Sequence, residues 1–378
     1  MRESLLSENR DIRTLENINE IVHCTETEIY GDAPKRLISF LGELPDSAFY
    51  NYIRTLSVPY LFEVFEKNVQ NKERAIQWFS RELLNFLEYS KNLTESAAFK
   101  NLVKPKELTN QEKPFKEEVK QHTGKHYGNL FKEFDHHSYF GEAKSLLEQR
   151  LQRNNIELPN LHKSRLLDQG CGGGRYTAAW RLLGVKEAVG LDYSSTGIED
   201  ARARVDFAGL KKINFDEGSV LEMPYENSSF DIVFSNGVLH HTEDWEQGVA
   251  ELIRVLKPGG YGWLYLIENP GGIFWDKIEI LRAIMKNVDK DFARGILKSF
   301  NIPANRIFYM LDHVMVPINT RLSPGQIENI LKENGADSIK RLERGTDFDR
   351  VEQIYRGIPY AREKFGVGEN RYIFRKAE

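Results

Sequence analysis

Cysteine is almost missing from this chain. Only Cys24 and Cys171 occur among 378 residues, which excludes a disulfide framework and a cysteine-based zinc site. Long apolar runs are missing too. None approaches the roughly 18 residues that a membrane-crossing helix needs, and the opening MRESLLSENR lacks the apolar centre of a secretory signal. An excess of positive charge is also absent: 52 Lys and Arg stand against 56 Asp and Glu, a net charge of −4. That balance lacks the basic footprint of nucleic-acid binders. The expectation is a reduced, cytoplasmic protein with no membrane anchor; the charge balance disfavours a nucleic-acid partner and leaves room only for a local basic groove. His136–His137 has no carboxylate or thiol at ligand spacing, so no metal site is expected.

The length suits two domains. Residues 1–103 read as helical. Ile76, Phe79, Leu83, Phe86 and Leu87 form one apolar stripe, and Leu37, Ile38, Leu41 and Leu44 another. Pro45 ends the latter, and Asp46 is placed to cap the next helix. These faces serve as core, packed together or onto the second domain; covering a substrate site and homodimer formation are their other uses. Residues 104–115 are polar and proline-containing and read as a linker. The remainder, 116–378, opens with a segment ending in a helix that carries Leu146, Leu147 and Leu151 on one side.

From Arg165 onward, strands alternate with helices, the pattern of a parallel α/β sheet covered on both faces. Strands are expected at 165–169, 188–193, 212–215, 230–235, 261–267, 338–342 and 371–374. A helix is expected from about Thr196, boxed by Glu199; another has Ser323 as cap, Pro324 in its first turn, Gln326 as box partner and Gly335 at its end. Two late insertions, at about 268–321 and 345–369, read as lids or substrate-binding elements, with simple packing as the alternative.

The first strand runs into RLLDQGCGGGR, residues 165–175. Four glycines in five positions let a ligand approach the backbone, and the following helix start favours an anionic group. The dinucleotide spacing fails because Arg175 stands where the third glycine is needed, and the Gly-Lys-Ser/Thr of a phosphate loop is missing. What remains is Asp-x-Gly-x-Gly-x-Gly at Asp168, Gly170, Gly172 and Gly174. Asp192 closes the second strand about twenty residues later, where a carboxylate can accept both hydroxyls of a ribose.

Asp168-x-Gly170-x-Gly172-x-Gly174 resembles the first motif of the class I S-adenosylmethionine-dependent methyltransferases, and FDIVFSNGVLHH (230–241) is similar to the fourth motif of their type 11, small-molecule branch. LKPGG (256–260) follows in the right order. The resemblance implies a Rossmann-like, seven-stranded sheet with helices on both faces, and S-adenosylmethionine as cofactor. It further implies that Asp168, Gly170, Cys171, Gly172 and Gly174 pass the methionine part, as does Asn236. Asp192, with Tyr193 beside it, would hold the ribose, and Ser219 and Val220 would lie against the adenine. Ser219 stands where the family usually has an aspartate. Tyr127 and Tyr139 would fold over the cofactor, or simply pack their segment onto the core.

In this family the methyl passes by in-line displacement to an oxygen, nitrogen or carbon, here of a small-molecule acceptor. A protein or RNA docked by the N-terminal helices, and a partner that binds cofactor without turnover, are the alternatives. The base-methylating Asp/Asn-Pro-Pro-Tyr/Phe signature is absent. His240, His241 and His313 are the candidate bases, each with a structural reading beside the catalytic one. Phe274, Trp275, Tyr309, Arg321, Arg350, Tyr355 and Arg356 suggest a pocket for a flat or anionic acceptor.

Overall fold

A computed structural model describes residues 29–68, 74–102 and 136–378. Tyr127 and the linker expected at 104–115 lie outside the described residues. The first helices are α1 (Ala33–Glu43), α2 (Ala48–Asn68), α3 (Ala75–Glu95) and α4 (Ala97–Leu102). The two stripes point inward as their spacing requires: Leu37, Ile38 and Leu41 are buried on α1, and Phe79, Leu83, Phe86 and Leu87 on α3. Asp46 does not cap α2 through the backbone; its Oδ1 accepts from the Asn51 side chain at 2.8 Å.

A π-type turn (His137–Glu142) leads into α5 (Ala143–Arg153), and the sheet follows. Its first half is β1 (Arg165–Gln169), α6 (Arg175–Leu182), β2 (Glu187–Asp192), α7 (Ser195–Phe207), β3 (Ile213–Glu217), β4 (Phe230–Asn236), α8 (Trp245–Val255) and β5 (Leu256–Leu266). The first insertion holds α9 (Gly272–Met285), α10 (Lys290–Ser299) and α11 (Ala304–Met315); α12 (Pro324–Glu333) and β6 (Ala336–Arg341) come next. The second holds α13 (Arg350–Tyr355) and α14 (Ala361–Phe365), and β7 (Asn370–Lys376) ends the chain's regular structure. Among the described residues, no helix is long and apolar enough to cross a membrane.

The seven strands lie in the order β3-β2-β1-β4-β5-β7-β6. β1 to β5 are parallel, and β7 runs antiparallel to both β5 and β6. The direction of winding reverses between β1 and β4, and such a switch point opens a crevice at the strands' carboxyl ends. α12 starts as the sequence predicts, with the reciprocal Ser323–Gln326 box and Pro324 in its first turn. α7 does not: its cap is Ser194, whose hydroxyl accepts from Gly197 N, and Glu199 takes no part. β5 begins at Leu256, five residues before the expected start. A bulge opposite Phe230–Ile232 and a positive φ at Gly259 absorb the LKPGG kink without ending the strand.

Each face of the sheet has its own apolar core. A third core joins the N-terminal helices to the insertions: Phe62, Phe65 and Phe79 cluster with Phe274, Trp275, Ile278 and Phe365. Tyr30 donates to Asp276 Oδ2 at 2.7 Å across the same junction. The helical layer therefore begins where β5 leaves the sheet, beside the crevice.

Candidate active site

β1 ends in Asp168 and Gln169, both buried. The chain then turns through Gly170, Gly172 and Gly174 at φ values of +78°, +54° and +77°. Space as well as torsion demands glycine here. A Cβ on Gly170 would sit 2.3 Å from Val238 Cγ1, and one on Gly174 would meet the Phe215 ring at 2.6 Å. Gly170→Ala adds that overlap to a left-handed penalty of about 1–2 kcal/mol. It should lower cofactor affinity at least about tenfold, measured calorimetrically. Adding Val238→Ala should restore part of the loss, and a double variant no better than the single one would remove the steric explanation.

The turn is tied to the end of β2. Gly170 N and Cys171 N both donate to Leu191 O, at 2.8 and 2.9 Å. Those two N–H groups are thus spent on the fold, and Cys171 packs its side chain into the sheet core. Gly172 N donates to Asp192 Oδ2 at 2.8 Å, and Ser194 N to Asp192 Oδ1 at 2.9 Å. The half-buried Asp192 carboxylate keeps lone pairs for further donors, and burial raises its pKa above the usual range. Tyr193 projects its ring into the open next to it.

Asp168 faces inward. Thr177 Oγ1 donates to its Oδ2 at 2.6 Å, and burial pushes its carboxyl up to about 7. Tyr139 is fully buried and donates to Gly173 O at 2.5 Å. It braces the glycine turn from within the protein, which is the packing role. Gln169 Nε2 bridges Val220 O and Gly248 O, each at 3.0 Å, and so positions the Ser219–Val220 turn. The Ser219 hydroxyl accepts from Leu221 N at 3.1 Å. Asn236 ends β4 with its Oδ1 accepting from Trp263 Nε1 at 3.3 Å.

Leu239–His241 forms a 3₁₀ turn just beyond. His240 is 2% exposed, and among the described residues no partner lies within hydrogen-bond reach of its Nδ1. His241 Nδ1 lies 2.8 Å from Ile318 O, and His313 Nδ1 2.7 Å from Tyr309 O. A carbonyl only accepts, so in both rings Nδ1 carries the proton and Nε2 the lone pair. Burial lowers all three pKa values; the neighbouring His313 adds to this at His240 and His241, and Arg350 and Lys277 add to it at His313. The structure thus brings His240, His241 and His313 into one neighbourhood as neutral imidazoles.

The aromatic and basic residues of the insertions divide. Arg350 lies 4.5 Å from the Phe274 ring centre and 5.5 Å from that of Trp275, and His313 is 5.5 Å from Trp275 and 4.9 Å from Tyr309. Arg321 is buried and bonded to Asp276, so it braces the insertion. Tyr355 is exposed beneath the Arg344 guanidinium, and the exposed Arg356 donates to the buried Glu352. Sequence reasoning also missed Gln169, Thr177, Val238, Tyr265 and Glu268. For Tyr265 a signal existed: it stands directly opposite Asn236 in the β4–β5 pairing.

Residues 167–264 match a family described as a methyltransferase domain. The chain is 30% identical over 161 residues to 27-O-demethylrifamycin SV methyltransferase of Amycolatopsis mediterranei (strain S699), covering 40% of this chain and 59% of that protein. It is 31% identical over 181 residues to norajmaline N-methyltransferase of Rauvolfia serpentina, covering 44% and 61%. With demethylmenaquinone methyltransferase of Lactococcus lactis subsp. lactis (strain IL1403) it shares 35% over 135 residues, covering 35% and 54%. It thus spans less than two thirds of the length of each of these relatives. The match over 167–264 takes in the glycine turn and most of the run from β1 to β5, so this part of the chain is similar to a methyltransferase domain.

Proposed function

We propose that the chain transfers a methyl group from S-adenosylmethionine to a small-molecule acceptor. The observation that carries this reading is the Asp192 carboxylate, fixed to the glycine turn through Gly172 N at the switch-point crevice. The residues fit the cofactor: the turn runs through positive φ at Gly170, Gly172 and Gly174 and carries no side chain at those positions, and Asp192 beside it retains acceptor capacity for a ribose. Asp192 would hold the ribose, Tyr193, Ser219 and Val220 would border the adenine, and the turn with Asn236 would pass the methionine part. When bound, the cofactor supplies a methyl on a sulfonium, so the protein needs no covalent nucleophile.

The chain's own residues then orient and protect. Holding an acceptor in line can contribute up to about 7–11 kcal/mol. A neutral imidazole at His240, His241 or His313 can take the proton of an O–H or acidic C–H, worth about 10²–10⁴-fold. The three relatives are each named for methylation of a small molecule, which supports that acceptor class.

Methyl-labelled S-adenosylmethionine incubated with the protein and a filtered small-molecule extract should put label into a low-mass product. Label confined to added protein or RNA would replace the small-molecule reading, and no transfer to either would overturn the activity.

A further inference from the structure

Tyr265 lies on β5 opposite Asn236, and its backbone carbonyl accepts from Gly237 N at 3.2 Å. Its ring stands 6.1 Å from that of His240, so it borders the neighbourhood of the three histidines. Arg350 fixes its hydroxyl, donating from Nη2 at 3.1 Å. The same guanidinium donates through Nε to Glu268 Oε1 at 2.7 Å, and Trp275 Nε1 donates to that oxygen at 2.8 Å. Glu369 is a second anion against Arg350, 3.7 Å away. The phenol and the carboxylate are thus held by one cation whose charge is already balanced.

Two capacities are left over. The Tyr265 hydroxyl accepts from Arg350, so its own proton faces elsewhere. Glu268 is fully buried, and its Oε2 has no hydrogen-bond partner among the described residues. A buried carboxylate oxygen without a donor is costly, because the lost hydration is not replaced. A ligand group completing both must accept from the phenol and donate to the carboxylate. A hydroxyl does both, whereas a carboxylate only accepts and an ammonium only donates.

Resting on the methyltransferase reading above, we propose that Tyr265 and Glu268 form the acceptor subsite, with Arg350 as their positioning residue, and that they select an uncharged, hydroxyl-bearing ring compound. The Tyr265 phenol donates to the acceptor's oxygen, and Glu268 Oε2 takes a hydrogen bond from its O–H. The rings of Trp275 and Phe274, against which Arg350 lies, form an aromatic surround. Arg371 lies 4.8 Å from the Tyr265 ring centre, but it is paired with Asp349 and Glu369, so an anionic acceptor gains little from either guanidinium.

Three probes on one ring system test this: 2-naphthol, 2-methoxynaphthalene and 2-naphthoate, titrated calorimetrically into the full chain with and without S-adenosylhomocysteine. The naphthol should bind at least about tenfold tighter than its methyl ether, the scale of one hydrogen bond to a charged group, and the naphthoate more weakly than the naphthol. Tyr265→Phe and Glu268→Gln should each erase the preference for naphthol while changing S-adenosylhomocysteine affinity less than about threefold. Tyr265→Phe keeps the ring packing, so it decides the matter even if Glu268→Gln fails to fold. Equal affinity for naphthol and its ether, a preference that survives Tyr265→Phe, tighter naphthoate binding, or no saturable naphthol binding would each overturn the subsite. Failure of the unaltered protein to bind S-adenosylhomocysteine would instead count against the cofactor reading, and the titrations without it would still judge the subsite.

Discussion

Asp192→Ala is expected to weaken S-adenosylhomocysteine binding by about 10²–10⁴-fold. The carboxylate would accept from two ribose hydroxyls, and a hydrogen bond to a charged group is worth about 1.5–3 kcal/mol, so two give about 3–6 kcal/mol. Part of the loss is indirect, because the same oxygens hold Gly172 N and Ser194 N. Asp192→Asn separates the parts poorly, since its amide must turn an N–H₂ toward one of those two N–H groups. Acidification is the better probe. The ionised form accepts the hydroxyls, and burial raises the carboxyl's pKa. Affinity should therefore fall with pH while still above the ordinary carboxylate range, and the alanine variant should lose that dependence. Calorimetry across pH checks both, and an affinity within threefold of the unaltered chain would remove Asp192 from the site.

Lys277→Met should stabilise the protein at neutral pH. Lys277 is 1% exposed, and its ammonium lies 3.6 Å from the ring centre of Phe62, 4.7 Å from that of Phe65 and 5.0 Å from that of Phe274. Of the charged groups around it, Glu66 favours the ammonium, while Arg306 and Arg350 oppose it. Burial outweighs them and lowers the pKa to about 7. The unfolded chain, with its lysine near 10.4, binds more protons between about pH 7 and pH 10. Stability therefore rises with pH across that window, and the deficit is complete below it. A shift of about three units is at most about 4–5 kcal/mol, and lost cation–π attraction returns a share of that. A net gain of about 2 kcal/mol, several degrees in Tm, is expected at pH 7 and much less at pH 10. An unchanged or lower Tm at pH 7, read by calorimetry, would show that the three rings compensate for the burial.

Elements with a local signature could be read from the chain. Alternating strands and helices, the Ser323–Gln326 box and the stripe on α3 depend on neighbours a few residues apart, and they stand where expected. The glycine turn was legible because its torsions and close contacts leave no room for other residues. Features set by distant partners were not. Arg350, expected to border a flat or anionic acceptor, stands against Glu268, 82 residues earlier in the chain. Arg321 likewise pairs with a distant residue, Asp276, 45 residues away. Tyr139 offered a suitable ring for covering a ligand, yet its hydroxyl is committed to Gly173 O. Cap placement at α7 failed on a choice among Ser194, Ser195 and Thr196, which chemistry alone does not separate.

The shared core of the N-terminal helices and the two insertions has a consequence for how this protein can change. Phe65 meets Phe274 and Phe365 edge to face, so segments from three remote stretches close one interior. Neither the leading helices nor the inserted ones can be traded away singly without baring an oily flank on the other. They have to change as a matched set, while the strands beneath keep apolar cores of their own.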